Sequence, residues 1–318
     1  MKQIKIDLEG KNKPERIIIN QINSYQDFLK LRGKNEQVER QQKIDKETIK
    51  KIKEANEREG EVLISGHCYP SQSNSWFRLK YRRGGKNGEE FKLNWREGLT
   101  SQNSHFNQRT RAAIHILDIE CHPTKESSIY MPEQVTPLYK YMKEKFPETV
   151  GSEYLGKEIP FGEIRRDGIR NEGMTNLSFK DGKFDIIFSL DVFKHIPRYK
   201  KTFAECYRVL NSNGKLLFTV PFNYKQDHKI RAVVNEDGSI THLLEPEYHG
   251  NPVDSKGALC FQTFGWQLLD DLRHAGFDEA VAIVYWSDYY VYLGNWQIVF
   301  LEKKNTKQRK ICSNLRIF

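Results

Sequence analysis

The stretch "FDIIFSLDVFKHIPRY", residues 184–199, decides the fold. Its first seven residues are mostly large and apolar, the composition of a strand buried on both faces rather than one alternating between core and water. The run closes on Asp191, and His195 follows at the start of what reads as a helix. An acid and a histidine at the carboxyl end of a buried strand stand where open α/β sheets bind their ligands.

The flanking sequence supplies the rest of such a sheet. "IPRYKKTFAECYRVL" (196–210) is a helix with a buried stripe of Phe203, Tyr207 and Leu210, and "GKLLFTVPF" (214–222) is the next strand. Upstream come the strand "SSIYM" (127–131), then a helix in "EQVTPLYKYMKEKF" (133–146) with apolar spacing at Val135, Leu138, Tyr139 and Met142. "TVGSEYL" (149–155) and "GIRNE" (168–172) are the second and third strands. Beyond an irregular stretch lie the helix "GWQLLDDLRHAG" (265–276) and the strands "AVAIVYW" (280–286) and "WQIVFLEK" (296–303). Strands alternating with helices predict an α/β fold with a parallel sheet and right-handed crossovers, the last two strands at its edge. The carboxyl edge then gathers Glu133, Glu153, Glu172, Ser189, Asp191, Pro221 and Phe222.

The N-terminal third differs. Residues 1–58 hold one strand, "RIIINQI", and a long charged helix with few large apolar residues, which cannot build a core alone. Residues 59–112 read as a small β-rich subdomain, with strands in "EVLIS", "SWFRLKYR" and "EFKLNW" around a glycine-rich turn. A main domain at 113–302 and a basic tail at 303–318 complete the expected organisation. The five cysteines are scattered without close pairs, so reduced thiols are expected. The formal charge of +9 is diffuse: in "KIDKETIKKIKEANEREGE" lysines alternate with acids as on a solvated helix, so a nucleic-acid partner is not expected. The chain has no membrane-length apolar run, and "MKQIKIDLEGKNK" lacks the apolar core of a signal peptide, so a cytoplasmic location is expected.

"NLSFKDGKFDIIFSLDVFKHI" (176–196) and "FAECYRVLNSNGKLLFTVPF" (203–222) resemble the class I methyltransferases that use S-adenosylmethionine. With "EQVTPLYKYMKEKFP", "GSEYLG", "PEYHGNPV", "FGWQLLDDLRHAGF" and "YWS", the chain is similar to a subgroup found among bacterial polysaccharide-synthesis genes. The resemblance implies a Rossmann-like seven-stranded methyltransferase sheet, S-adenosylmethionine as cofactor, and O-methylation of a saccharide or other small-molecule acceptor. It implies cofactor contacts from Glu133, Gly151, Glu153, Tyr154, Glu172, Met174, Leu177 and Ser189, with Glu153 accepting from the ribose hydroxyls. It implies chemistry from His249, His195 and Asp191, with His249 the preferred base, and an acceptor pocket of Tyr248, Phe222 and Trp286.

The chain departs from the family in three places. "MPEQVTP" has no glycine where the family has a glycine loop, and Gly173 stands where an acid usually meets the adenine amino group. "NWREGLTSQNSHFNQRTRA" resembles a segment that pairs with a second Cys-x-x-Cys in a zinc ribbon, but the four positions here are Cys68, Ser71, Ser101 and Ser104. One thiolate and three hydroxyls do not make a zinc site, so no metal is expected. The rival expectation is a non-catalytic module that binds a protein or nucleic acid through its charged arm and tail.

Overall fold

The structure, a computed structural model, describes residues 3–6, 8, 17–32, 36–84, 90–91, 93–251 and 254–305. The glycines of the turn after Gly84, and the tail from 306 with Cys312, lie outside the described residues. The largest sheet has seven strands, in the spatial order Ile18–Ile22, Glu279–Ser287, Tyr292–Lys303, Leu210–Thr219, Phe184–Leu190, Ile129–Met131, Val150–Gly151. The last four pair in parallel, and the first three run antiparallel to their neighbours.

Phe184–Leu190 is central, and its residues feed both faces as a doubly buried strand requires. Phe184 and Ile187 join one cluster with Phe203, Phe218, Leu268 and Leu272, under the helices Tyr199–Val209 and Gln267–His274. Ile186, Phe188 and Leu190 join the other with Ala113, Ile116, Leu138 and Met142, under the helices Gln108–Cys121 and Pro137–Lys145.

Two strands differ from the sequence expectation. "GIRNE" forms no ladder; Asn171 makes only an isolated parallel bridge to Glu153. Polar side chains compete for the local backbone there. Asn171 Oδ1 accepts from Leu155 N at 2.8 Å, and Glu172 Oε2 accepts from Ser178 N at 2.9 Å. The seventh strand comes instead from the N-terminal segment, where Ile18–Ile22 pairs with Glu279–Ser287 and covers what would otherwise be an open edge. The charged extension is therefore built into the fold. Phe28 is fully buried, with its ring 4.8 Å from Trp266 and 5.4 Å from Trp296.

A second sheet combines Gln3–Ile6, Glu59–Cys68, Ser73–Gly84 and Glu90–Phe91, with Leu99–Ser101 paired to Ser73–Gly84. The helix Glu36–Ala55 docks through an amide: Gln41 Oε1 accepts from Trp286 Nε1 at 2.9 Å and Gly294 N at 2.8 Å. A helix that reads as solvated is thus fixed by a buried polar side chain that hydropathy scores as surface. At the tip of this sheet Ser101 Oγ donates to Cys68 Sγ at 3.2 Å, and Ser104 Oγ lies 3.4 Å from the same sulfur. Ser71 Oγ lies 3.5 Å from Cys68 O. The four ribbon positions meet, with hydrogen bonds between them. Burial opposes ionisation of the Cys68 thiol, but the surrounding hydroxyls outweigh it and hold its pKa below the ordinary value.

Candidate active site

The carboxyl edge of the central strand opens on Asp191, whose φ of +61° turns the chain sharply out of the sheet. Its side chain is fully committed. Arg96 binds it with two nitrogens, at 2.9 Å and 3.1 Å, and Thr219 Oγ1 donates to it at 2.8 Å. Arg109 Nε and Lys194 Nζ stand at 3.7 Å. Burial alone would raise this carboxyl, but Arg109 and Arg96 outweigh it and hold it well below the usual range. Asp191 clamps two arginines, and that pairing opposes its protonation. Arg96 and Arg109 come from the N-terminal subdomain and were missed as site residues by the sequence reading. Their signal was the "NWRE…NQRTR" segment, which was read only for its missing cysteines.

The loop that replaces the glycine turn is held by two acids. Glu133 Oε1 accepts from Leu190 N at 2.9 Å, tying the loop to the central strand, and burial pushes its carboxyl up to about 8. Glu153 Oε1 accepts from Val135 N at 3.0 Å; the residue is half-buried, and burial raises its carboxyl above the ordinary value. Gly151 is needed for close packing, since a Cβ there would stand 2.5 Å from the Tyr139 ring. Ser189 is fully buried, and its Oγ has no hydrogen-bond partner among the described residues.

The other predicted contacts divide between groups that the fold already engages and groups that stay exposed. Glu172 is fully used by Arg170 Nε at 2.8 Å and by the amide and hydroxyl of Ser178. Met174 and Leu177 are buried in the first core cluster. Tyr154 is 56% exposed and Tyr248 57% exposed, each free to meet a ligand. Phe222 packs edge-on against Trp266 and Tyr224. Trp286 does not line the cleft: it is buried beneath Arg40 and bonded to Gln41, because its strand position faces the N-terminal subdomain.

The two histidines meet, although 54 residues of sequence separate them. His195 Nδ1 lies 2.9 Å from Leu259 O, and burial lowers its pKa to about 4. A carbonyl only accepts, so Nδ1 carries the proton and Nε2 keeps its lone pair. His249 Nε2 lies 2.8 Å from Glu247 Oε1, and Lys194 Nζ lies 2.7 Å from His249 Nδ1. Both nitrogens of His249 are engaged, whereas His195 keeps a lone pair on Nε2. Lys194, 4% exposed, is not a surface residue: its ammonium bridges His249 and Asp191.

The seven-stranded mixed sheet, with helices packed on both faces, has a Rossmann-like methyltransferase fold. Residues 139–218 match the family model described as a methyltransferase domain. A 42-residue stretch is 43% identical to phosphoethanolamine N-methyltransferase 2 of Caenorhabditis elegans, which covers 13% of this chain and 10% of that one. The chain thus spans about a tenth of the curated relative that it matches. Among solved structures, it is similar to the 1,6-didemethyltoxoflavin-N1-methyltransferase of Burkholderia thailandensis, with 15% identity, TM-score 0.35, and coverage of 62% of this chain and 78% of the other. A phosphoethanolamine N-methyltransferase 2 of Haemonchus contortus matches at 16% identity and TM-score 0.32, over 53% of this chain and 37% of that one.

Proposed function

We propose that the protein is an S-adenosylmethionine-dependent methyltransferase acting on a hydroxyl of a saccharide or glycan-related acceptor. The observation that carries this reading is that the parallel half of the sheet ends in a carboxylate, Glu153 after Val150–Gly151, and in a histidine with an unprotonated ring nitrogen, His195 after Phe184–Leu190. Both residues lie within the segment matched by the methyltransferase family model.

At the ribose end Glu153, half-buried and held by Val135 N, is the acceptor for the ribose hydroxyls. At the adenine end an added Cβ on Gly173 would meet the Phe161 ring at 2.4 Å, so an apolar ring and backbone groups take the place of the usual acid. When bound, S-adenosylmethionine supplies an electrophilic methyl group. The chain's own part is to align the acceptor and to take its proton, which falls to His195 Nε2. The insertion between Val220 and Phe264 carries exposed Tyr248, a platform suited to a sugar face. The acceptor class rests on the resemblance to methyltransferases of polysaccharide-synthesis genes. The Cys68 cluster is, on the same reading, a metal-free counterpart of that subgroup's zinc ribbon.

Calorimetric titration with S-adenosylhomocysteine tests the cofactor. Saturable binding is expected; no heat at millimolar ligand overturns the reading and leaves a binding module. Replacing His195 by alanine is expected to lower turnover by about 100-fold or more while leaving that titration unchanged. Unchanged turnover removes His195 from the mechanism.

A further inference from the structure

Three side chains from separate segments converge beside the cleft. His195, His249 and Cys260 each present one ligand atom, all within 4.8 Å of one another. Backbone contacts hold them there. Phe261 N donates to Lys194 O at 2.8 Å, Cys260 N to Glu247 O at 2.8 Å, and Gln262 Nε2 to Phe193 O at 2.8 Å. The insertion is stitched to the end of the central strand.

Hydrogen bonds also select the ring nitrogens. The Leu259 carbonyl fixes the proton of His195 on Nδ1, and the Glu247 carboxylate fixes that of His249 on Nε2. Both remaining lone pairs belong to nitrogens whose ring partner is tied to a carbonyl or carboxylate, the outer arrangement of metal-bound histidines. Cys260 is buried and unpaired, and burial pushes its thiol up to about 11. The Lys194 ammonium already sits on the His249 lone pair and 3.7 Å from Asp191. The cluster is arranged around a positive charge.

We propose that His195 Nε2, His249 Nδ1 and Cys260 Sγ bind a zinc-class divalent cation, with a fourth position open to the acceptor side of the cleft. Two neutral imidazoles and a thiolate suit zinc, and three protein ligands with one open position are the pattern of catalytic rather than structural sites. Around a tetrahedral ion with bonds of about 2.0–2.3 Å the ligand atoms stand roughly 3.5 Å apart, so the cluster closes by about 1 Å through side-chain rotation. On binding, the Cys260 proton leaves to solvent and the Lys194 ammonium turns toward Asp191. With the ion bound, His195 Nε2 is a ligand, and an acceptor hydroxyl polarised at the open position would release its proton to solvent instead of to His195. That role rests on the methyl-transfer reading; the binding of the ion does not.

Titrating the chelator-treated full-length protein with cobalt(II) tests the site. One equivalent is expected to give a near-ultraviolet thiolate-to-cobalt band with tetrahedral visible bands, displaced by zinc. Cys260→Ser is expected to abolish the near-ultraviolet band, and Cys68→Ser to leave it. His195→Gln should weaken binding about tenfold or more, and Lys194→Met, which removes the competing ammonium, should tighten it. No saturating band in the native protein, a band that survives Cys260→Ser, or no gain with Lys194→Met overturns the proposal. Circular dichroism of each variant checks that it folds. Calorimetry with S-adenosylhomocysteine on the same samples separates the two readings. Cobalt binding without cofactor binding defeats methyl transfer alone, and cofactor binding without the cobalt band defeats the metal site alone.

Discussion

Asp191 and Glu302 are carboxylates in the same seven-stranded sheet with opposite fates. Asp191, where the central strand ends, is ringed by Arg96, Arg109, Lys194 and Thr219, and its pKa is held well below the usual range. Glu302 is paired in register with Leu216 and Ala280, is fully buried, and neither carboxyl oxygen has a partner among the described residues. Burial pushes its pKa well above the usual range, with Arg273 only partly opposing. Burial protonates a carboxyl unless fixed charge is brought to it. In this molecule the charge was brought to the ligand-facing edge, and it was imported from the N-terminal subdomain.

The largest effect should come from breaking the charged side of this pair. Asp191→Asn leaves Arg96 and Arg109 without their shared anion and is expected to cost about 3–5 kcal/mol, read from urea unfolding. A cost below about 1 kcal/mol would mean the arginines find other partners. Next comes the neutral side: Glu302→Leu exchanges an unsatisfied carboxyl for an apolar group and is expected to stabilise by about 1–3 kcal/mol at alkaline pH. A destabilised variant would show that water or another group satisfies this carboxyl.

The pH dependences have opposite signs. Glu302, with its folded pKa raised, contributes stability that is full below its unfolded pKa and is lost as pH rises through the folded value. Asp191, with its folded pKa depressed, contributes stability present above its unfolded pKa and lost as pH falls toward the folded one. Unfolding curves across pH should therefore show an alkaline loss that vanishes in Glu302→Leu and an acid loss that shrinks in Asp191→Asn. Persistence of the alkaline loss in Glu302→Leu would assign it elsewhere, Glu133 first, whose carboxyl is raised to about 8. The smallest effect sharpens the geometry: Thr219→Val removes one donor to Asp191 and should cost about 1 kcal/mol.

Much of the fold was readable without coordinates. Phe184–Leu190 announces a doubly buried strand, and the helices and strands around it carry periodicities that depend only on local chain geometry. The reading failed where polar groups outcompete a pattern. "GIRNE" looks like a strand, yet Asn171 and Glu172 turn its side chains onto nearby backbone. The helix Glu36–Ala55 looks solvated, yet Gln41 holds it to Trp286 and Gly294. Of the candidate site, the placement of Asp191, His195 and Glu153 just beyond strand ends was legible because a strand end fixes it. Arg96, Arg109, Lys194 and Cys260 were not.

The sequence alone determined an α/β sheet, its doubly buried central strand, and the resemblance to methyltransferases, because these follow from local periodicity and contiguous motifs; that three of the seven strands run antiparallel was a matter for the tertiary structure. The tertiary structure decided which strand closes the sheet edge, why Asp191 stays ionised, and that Lys194 is buried between His249 and Asp191. Each of these depends on groups between 55 and 268 residues apart meeting in space, and burial and Coulomb interaction act on distance in space rather than along the chain.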